Sequence, residues 1–271
     1  MLSVEQIVAD PTIRLLMVDE RLRAGETLDF ELAARVKELL PRDDFSASQY
    51  LLGLGYFRRR LETIFEPGSC FLDVGCGAGV WSVAASFTQR LVVGIDADLP
   101  RLRCARTIAG ELPGNAPPGF MQCRLPCVPL RDASVDAILC HNVLQVLATS
   151  HLGTLRSLRR VARKGARLHI WVHDIGYLSL LRDRAIRSRR MREALSWLRS
   201  ELNARLFRLG FKIQPRGWMP GWYLQDISER ASWRALDSRT TSGLTDPGQR
   251  PIFPPAYRGL PLGSDYFFEA I

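Results

Sequence analysis

From about residue 70 the chain alternates between short apolar runs and stretches whose apolar residues recur every three or four positions. Residues 70–74 (CFLDV), 91–96 (LVVGID), 119–125 (GFMQCRL), 135–140 (VDAILC), 166–172 (ARLHIWV), 210–216 (GFKIQPR) and 266–271 (YFFEAI) read as strands. Several are apolar along their whole length, as strands covered on both faces are. Between them the spacing predicts helices over 79–87, 100–110 and 152–161. The last has Leu152, Leu155, Leu158 and Val161 on one side and Arg156, Arg159, Arg160 and Arg163 opposite, a basic stripe expected to face water. A further helix over 188–209 carries Met191, Leu195, Leu198, Leu202 and Leu206 at helical spacing. Strands alternating with helices predict an α/β fold with a doubly wound parallel sheet.

Ahead of this region the chain reads helical over 31–40, stopping at Pro41, and over 46–65, stopping before Pro67. We read residues 1–66 as a helical cap within the same domain as residues 67–271. An insertion at 218–264, with WMPGWY and PIFPPAYRGLP, interrupts the approach to the last strand. Its Trp218, Trp222, Tyr223 and Trp233 either wall an acceptor pocket or pack the insertion onto the sheet. Arg216 just before it and Arg234 within it offer guanidinium groups to an anionic partner.

Composition narrows the class. With 46% apolar and 24% charged residues in 271, the chain is an ordinary globular protein and not a disordered or fibrous one. The six cysteines (70, 76, 104, 123, 127, 140) and four histidines (141, 151, 169, 173) lack metal-ligand spacing, so no metal is expected. The opening MLSVEQIVADPT has no signal-peptide layout, and no apolar run reaches the roughly 18 residues of a membrane span, so a cytoplasmic protein is expected. The net charge of +9 comes almost entirely from arginine, Lys37, Lys164 and Lys212 being the only lysines. Such a charge admits nucleic acid as a partner without favouring it.

The chemistry concentrates in FLDVGCGAGVWS, residues 71–82. A strand that ends in Asp73 and breaks into Gly75, Gly77 and Gly79 before a helix lets backbone approach a ligand closely. The next strand ends in Asp96, about 20 residues on, where a carboxylate accepts hydrogen bonds from ribose hydroxyls. A dinucleotide fingerprint needs its third glycine at position 80, which is Val80. Asp73 would repel a pyrophosphate and suits a cation. The loop therefore favours S-adenosylmethionine, with its sulfonium and ammonium, over NAD.

FLDVGCGAGVWS followed by VVGIDAD resembles motifs I and II of the class I S-adenosylmethionine-dependent methyltransferases. VPLRDASVDAILCHNVLQVL resembles their segment around the fourth strand, and RVARKGARLHIWV their turn into the fifth. GFKIQPRGW and DYFFEAI fit the sixth and seventh strands. The resemblance implies a Rossmann-like seven-stranded sheet with the last strand antiparallel. It also implies that Asp73, Gly75, Cys76, Gly77 and Gly79 form the loop beside the methionine portion, that Asp96 holds the ribose and that Ala97 lies near adenine. Cys140 and His141 are implied to border the ammonium and the transferable methyl. Two positions depart from the family: Cys123 and Arg124 stand where an acidic residue often meets adenine, leaving backbone or Asp132 to serve, and Val146 stands where a histidine is frequent.

Methyl transfer from a sulfonium needs proximity, alignment and, for a hydroxyl acceptor, a base. His141 at the end of strand four and His173, beside Asp174 at the end of strand five, are the candidate bases. CHNVLQ lacks the proline-rich turn of enzymes that methylate base nitrogens. The expected activity is O-methylation of a small or glycosylated metabolite. The alternatives are methylation of RNA or protein through the basic surface, and a non-catalytic S-adenosylmethionine-binding protein.

Overall fold

The computed structural model describes residues 29–40, 46–51, 53–112, 116–172, 187–211, 213, 215, 219–237 and 264–271. Its strands form one seven-stranded sheet in the order β3-β2-β1-β4-β5-β7-β6, where β1 is Cys70–Val74, β2 Leu91–Asp96, β3 Gly119–Gln122, β4 Val135–His141, β5 Ala162–Val172, β6 Trp233–Asp237 and β7 Ser264–Ala270. The last strand is antiparallel to both its neighbours, as expected. The chain divides into two compact units, Met1–Arg124 with Val135–Leu139, and Leu125–Ser134 with Cys140–Ile271.

In the first unit, α1 (Phe30–Leu39) starts where the Asp29 carboxylate accepts from the Leu32 N–H at 2.9 Å, and it buries Ala33, Ala34 and Val36. The single helix expected over 46–65 is two, α2 (Ser46–Leu51) and α3 (Leu54–Ile64). Gly53 separates them at φ 75°, a left-handed conformation that ends one helix and re-aims the chain for the next. All five residues of β1 are buried, and β1 pairs in parallel with β2, which pairs in parallel with β3. β3 stops at Gln122, short of the expected 125. α4 (Val80–Ala85) is buried on every side, which explains its unbroken run of small and apolar residues.

α5 (Leu99–Glu111) is capped by Asp98, whose carboxylate accepts from the Arg101 N–H, and Pro100 sits in its first turn. Its inner face, Leu102, Ala105 and Ala109, packs with Cys76, Val83 and Phe120. Full burial of large side chains such as Phe71 and Phe57 contributes about 1.5–3 kcal/mol each.

In the second unit, α6 (His151–Val161) is capped by the Ser150 hydroxyl, which accepts from the Gly153 N–H, and it buries His151, Thr154, Leu155, Leu158 and Val161. It runs straight into β5 without a loop. α7 (Arg187–Arg208) lies where helical spacing predicts it.

The strand expected over 210–216 is not one: the described residues 211, 213 and 215 belong to no strand. Gly210, at φ 97°, closes α7 with its N–H donating to the Phe207 carbonyl and that of Phe211 to Leu206. Phe211 and Ile213 are both exposed. The sixth strand comes from the insertion instead, as β6, and α8 (Gly221–Glu229) precedes it. Tyr223, Leu224 and Ile227 face inward from α8, and Trp233 is buried with its indole N–H donating to the Leu155 carbonyl at 3.1 Å. Among the described residues no helix is long and apolar enough to cross a membrane.

Candidate functional site

The loop between β1 and α4 turns through three left-handed glycines, Gly75 at φ 66°, Gly77 at 55° and Gly79 at 85°. Four of its backbone donors are spent within the protein. Gly75 and Cys76 both donate to the Ile95 carbonyl, at 2.7 and 3.0 Å, and Gly79 donates to Cys76 at 2.9 Å. Gly77 donates to Asp96 Oδ2 at 2.8 Å. The expectation that these N–H groups face a ligand is therefore corrected: they stitch the loop to the end of β2. A pyrophosphate, which is bound by free N–H groups, would find none of these four.

The three glycines do different things. A Cβ at Gly77 would meet nothing within 4 Å, so that side of the loop is open to a ligand. A Cβ at Gly79 would lie 2.7 Å from Ala105 Cβ and 3.1 Å from the Phe120 ring, so this glycine lets α5 and β3 close on the loop. Gly94, not singled out from sequence, is equally constrained: its Cβ would stand 2.7 Å from Ser82 Oγ and 2.9 Å from Cys76 Sγ. The Cys76 side chain is buried core, and any ligand contact it makes is through backbone.

Asp96 is half-buried at the end of β2. Its carboxylate accepts from the N–H of Gly77 and from that of Asp98, both at 2.8 Å. An ionised carboxylate has about four lone-pair sites, so two are left, which suits the two hydroxyls of a ribose. The open face of Gly77 beside this carboxylate fits an adenosyl ligand. Ala97 is exposed next to Asp96, and its carbonyl accepts from the Gln122 side chain at 3.0 Å.

Asp73 lies beneath the loop. It is 1% exposed, and Oδ2 accepts from the Ser82 hydroxyl at 2.7 Å. Burial pushes its carboxyl up to about 7; the Ser82 hydrogen bond opposes this and the nearby Asp96 charge adds to it. A carboxyl in that setting accepts ionisation most readily when a cation is near, which fits the cationic ligand expected from sequence.

The cap region contributes a residue that the sequence did not flag. Tyr50, fully buried in α2, donates its hydroxyl to the Ala78 carbonyl at 2.8 Å and so holds the loop from its outer side. A tyrosine in a short helix carries no sequence signal for this, since its partner is a backbone group 28 residues away.

In the second unit Cys140 is fully buried, so its thiol belongs to the core. The neighbouring His141 ring stacks on Trp171, with centroids 4.7 Å apart and planes within 10°. Asn142 follows at φ 61°, its N–H donating to the Trp171 carbonyl at 2.9 Å and its side chain accepting from Gln145. His173, Asp174, Trp218 and Arg216 lie outside the described residues. Asp132, considered for adenine, is instead ion-paired with Arg160. Arg234 is paired with Glu269. Among the described residues no group of histidine, cysteine and carboxylate side chains is placed to hold a metal ion.

Comparison with known proteins agrees with this geometry. Residues 72–170 match the family model described as "Methyltransferase domain". No curated protein matches the sequence. Solved structures similar in fold include a SAM-dependent methyltransferase from Aquifex aeolicus (18% identity, 88% of this chain and 98% of that one, TM-score 0.54). A second is the putative methyltransferase of Haloferax volcanii solved with the Trm112 activator (14% identity, 88% and 93%, TM-score 0.56). A third is the magnesium protoporphyrin IX methyltransferase of Synechocystis with bound SAH (15% identity, 88% and 94%, TM-score 0.53). The loop spent on β2, the carboxylate with two free lone-pair sites, the sheet order and the family match converge: residues 72–170 carry a methyltransferase domain, and the chain has the fold of S-adenosylmethionine-dependent methyltransferases.

Proposed function

We propose that the chain methylates an oxygen of a small or glycosylated metabolite and that His141 takes the proton from the acceptor hydroxyl. S-adenosylmethionine supplies an electrophilic methyl on a sulfonium, which leaves the protein to align the acceptor and to receive its proton. The observation that carries the reading is the His141 ring at the end of β4, half-buried and laid flat on Trp171 at 4.7 Å. Stacking fixes the plane of the imidazole, and a base held in one orientation transfers a proton without first losing rotamer freedom. Strand ends are also where ligands of open α/β sheets bind. Asp96 holds the ribose hydroxyls and Gly77 leaves room for the cofactor beside them. His173 is proposed as a second proton acceptor on its place after β5 in the sequence alone.

The experiment is a panel of hydroxyl, amine and thiol acceptors, followed by the release of S-adenosylhomocysteine. With the best hydroxyl acceptor, His141→Asn is expected to lower kcat by about 10²–10⁴, the range for a lost general base, and to leave S-adenosylhomocysteine affinity within about twofold. An unchanged kcat removes His141 as the base. Turnover with amines and not hydroxyls removes the oxygen acceptor.

A further inference from the structure

The basic stripe of α6 does not lie wholly in water. Arg160 turns back to the carbonyls of Leu130 and Val128, at 2.9 and 2.6 Å, and pairs with Asp132. Arg159 donates to the Ala162 carbonyl at 3.3 Å and to that of Ile271. These bonds order both guanidinium groups at the point where α6 becomes β5. There they line a cavity of about 540 Å³ together with Arg156, Lys164, Arg230 and Asp132. Arg230 is paired with Asp226 at 3.5 Å, and the face of its guanidinium lies over Phe207, which leaves the edge of the fork for a further partner. Arg156 and Lys164 are exposed and not ion-paired among the described residues. Five cations thus meet the carboxylates of Asp132 and Asp226 and the Ile271 oxygen on Arg159, and positive charge remains in excess.

The C-terminal end of α6 accounts for part of this, because cations in a last turn complement the helix dipole. It does not account for Lys164 on β5 or for Arg230 after α8, which reach the cavity from other elements. Bringing like charges together costs free energy that a bound anion returns. Among the described residues the lining has no aromatic ring for a base to stack on and no large apolar wall for a lipid chain or drug-like molecule. What it offers is guanidinium forks and an ammonium, the groups that match tetrahedral phosphoryl oxygens.

We infer that this cavity is a phosphoryl-anion site, filled by the oligophosphate of a soluble ligand or by the phosphate backbone of a nucleic acid. It stands apart from methyl transfer. The cavity lies at the start of β5 and His141 stacks on Trp171 near the end of that strand. Lys164 in the cavity lining and Trp171 stand seven residues apart on β5, which at about 3.3 Å each is roughly 23 Å. A soluble phosphate bound here is therefore not the group being methylated, and the site does not depend on which acceptor the enzyme uses.

The test is calorimetry of the full chain at low salt with inorganic tripolyphosphate, with a 12-nucleotide RNA and with oligoglutamate of equal charge. The variant R156A/K164A is compared with R58A/R103A, which removes the same charge from the first unit. We expect R156A/K164A to weaken binding of tripolyphosphate, RNA or both by about tenfold or more, and the control to change it by no more than about twofold. Tripolyphosphate binding without RNA binding assigns the soluble source. RNA binding whose salt slope falls by about two in R156A/K164A assigns the nucleic-acid source. The inference is overturned if neither phosphate probe binds, if both double variants lose affinity equally, or if oligoglutamate binds as tightly as the phosphate probes. Thermal melts matching wild type establish that the variants are folded.

Discussion

Two stretches of this chain look like ligand surfaces in sequence, the glycine loop of residues 73–79 and the aromatic segment of residues 219–237, and the structure treats them oppositely. The loop spends four of its N–H groups on the protein and leaves one direction open, at Gly77, beside a carboxylate with lone pairs to spare. The aromatic segment fills its own space: Tyr223 and Trp233 are fully buried, and the indole N–H is already bonded to Leu155. A binding surface is marked by directions and lone pairs left unfilled, and the number of rings in a segment says little about either.

The sharpest way to break this contrast is to empty the aromatic side. Trp233→Ala is expected to lower stability by about 3–5 kcal/mol through lost burial and a residual cavity, read as a drop in the urea midpoint. S-adenosylhomocysteine affinity of the folded fraction should stay within about twofold, since the described hydrogen-bond partners of Trp233 and of the loop are different groups. A fall in affinity as large as the fall in stability would return Trp233 to the binding surface.

A smaller effect is expected on the loop side. Asp96→Ala removes the acceptor of two backbone N–H groups and of the ribose hydroxyls. S-adenosylhomocysteine binding should weaken by about 1–3 kcal/mol by calorimetry, with a minor change in melting temperature. Unchanged affinity would mean that the open face of Gly77 holds something other than an adenosyl group.

A third effect is electrostatic. In the folded protein the Asp73 carboxyl is raised to about 7, above its usual range near 3.8. Between those values the native state holds more protons than the unfolded chain, so stability falls as pH rises through that window and levels off above it. Asp73→Asn, which keeps an acceptor for Ser82, should flatten that part of the profile when urea midpoints are compared at pH 5 and pH 8. An equal pH slope in both proteins would place the titration elsewhere.

The order of strands and helices from β1 to β5 was legible because each element there follows a single period and turns sit on glycine, proline or a capping aspartate. The loop was legible for the same reason: glycines at alternate positions and an aspartate one strand later are spacing signals. Gly53 and Gly210 were misread because a glycine inside a helical or alternating pattern does not announce whether it takes a left-handed turn. β6 was hidden by its surroundings. Its neighbours are rich in proline, glycine and aromatics, and that composition outweighed the helical spacing of Tyr223, Leu224 and Ile227 in α8. The roles of Ser82 under Asp73 and of Tyr50 on Ala78 depend on contacts across the fold, which no local pattern encodes.

The Tyr50 bond to Ala78 carries a thermodynamic obligation. The loop and α2 share one hydrogen bond in a water-free setting, so the docked helix and the ligand-ready loop are linked states. Whatever holds α2 down favours the loop that accepts the cofactor. By reciprocity, a cofactor resting on that loop lends the same free energy to the helix. Cofactor occupancy would then be readable at a distance from the site itself, as slower amide exchange in α2.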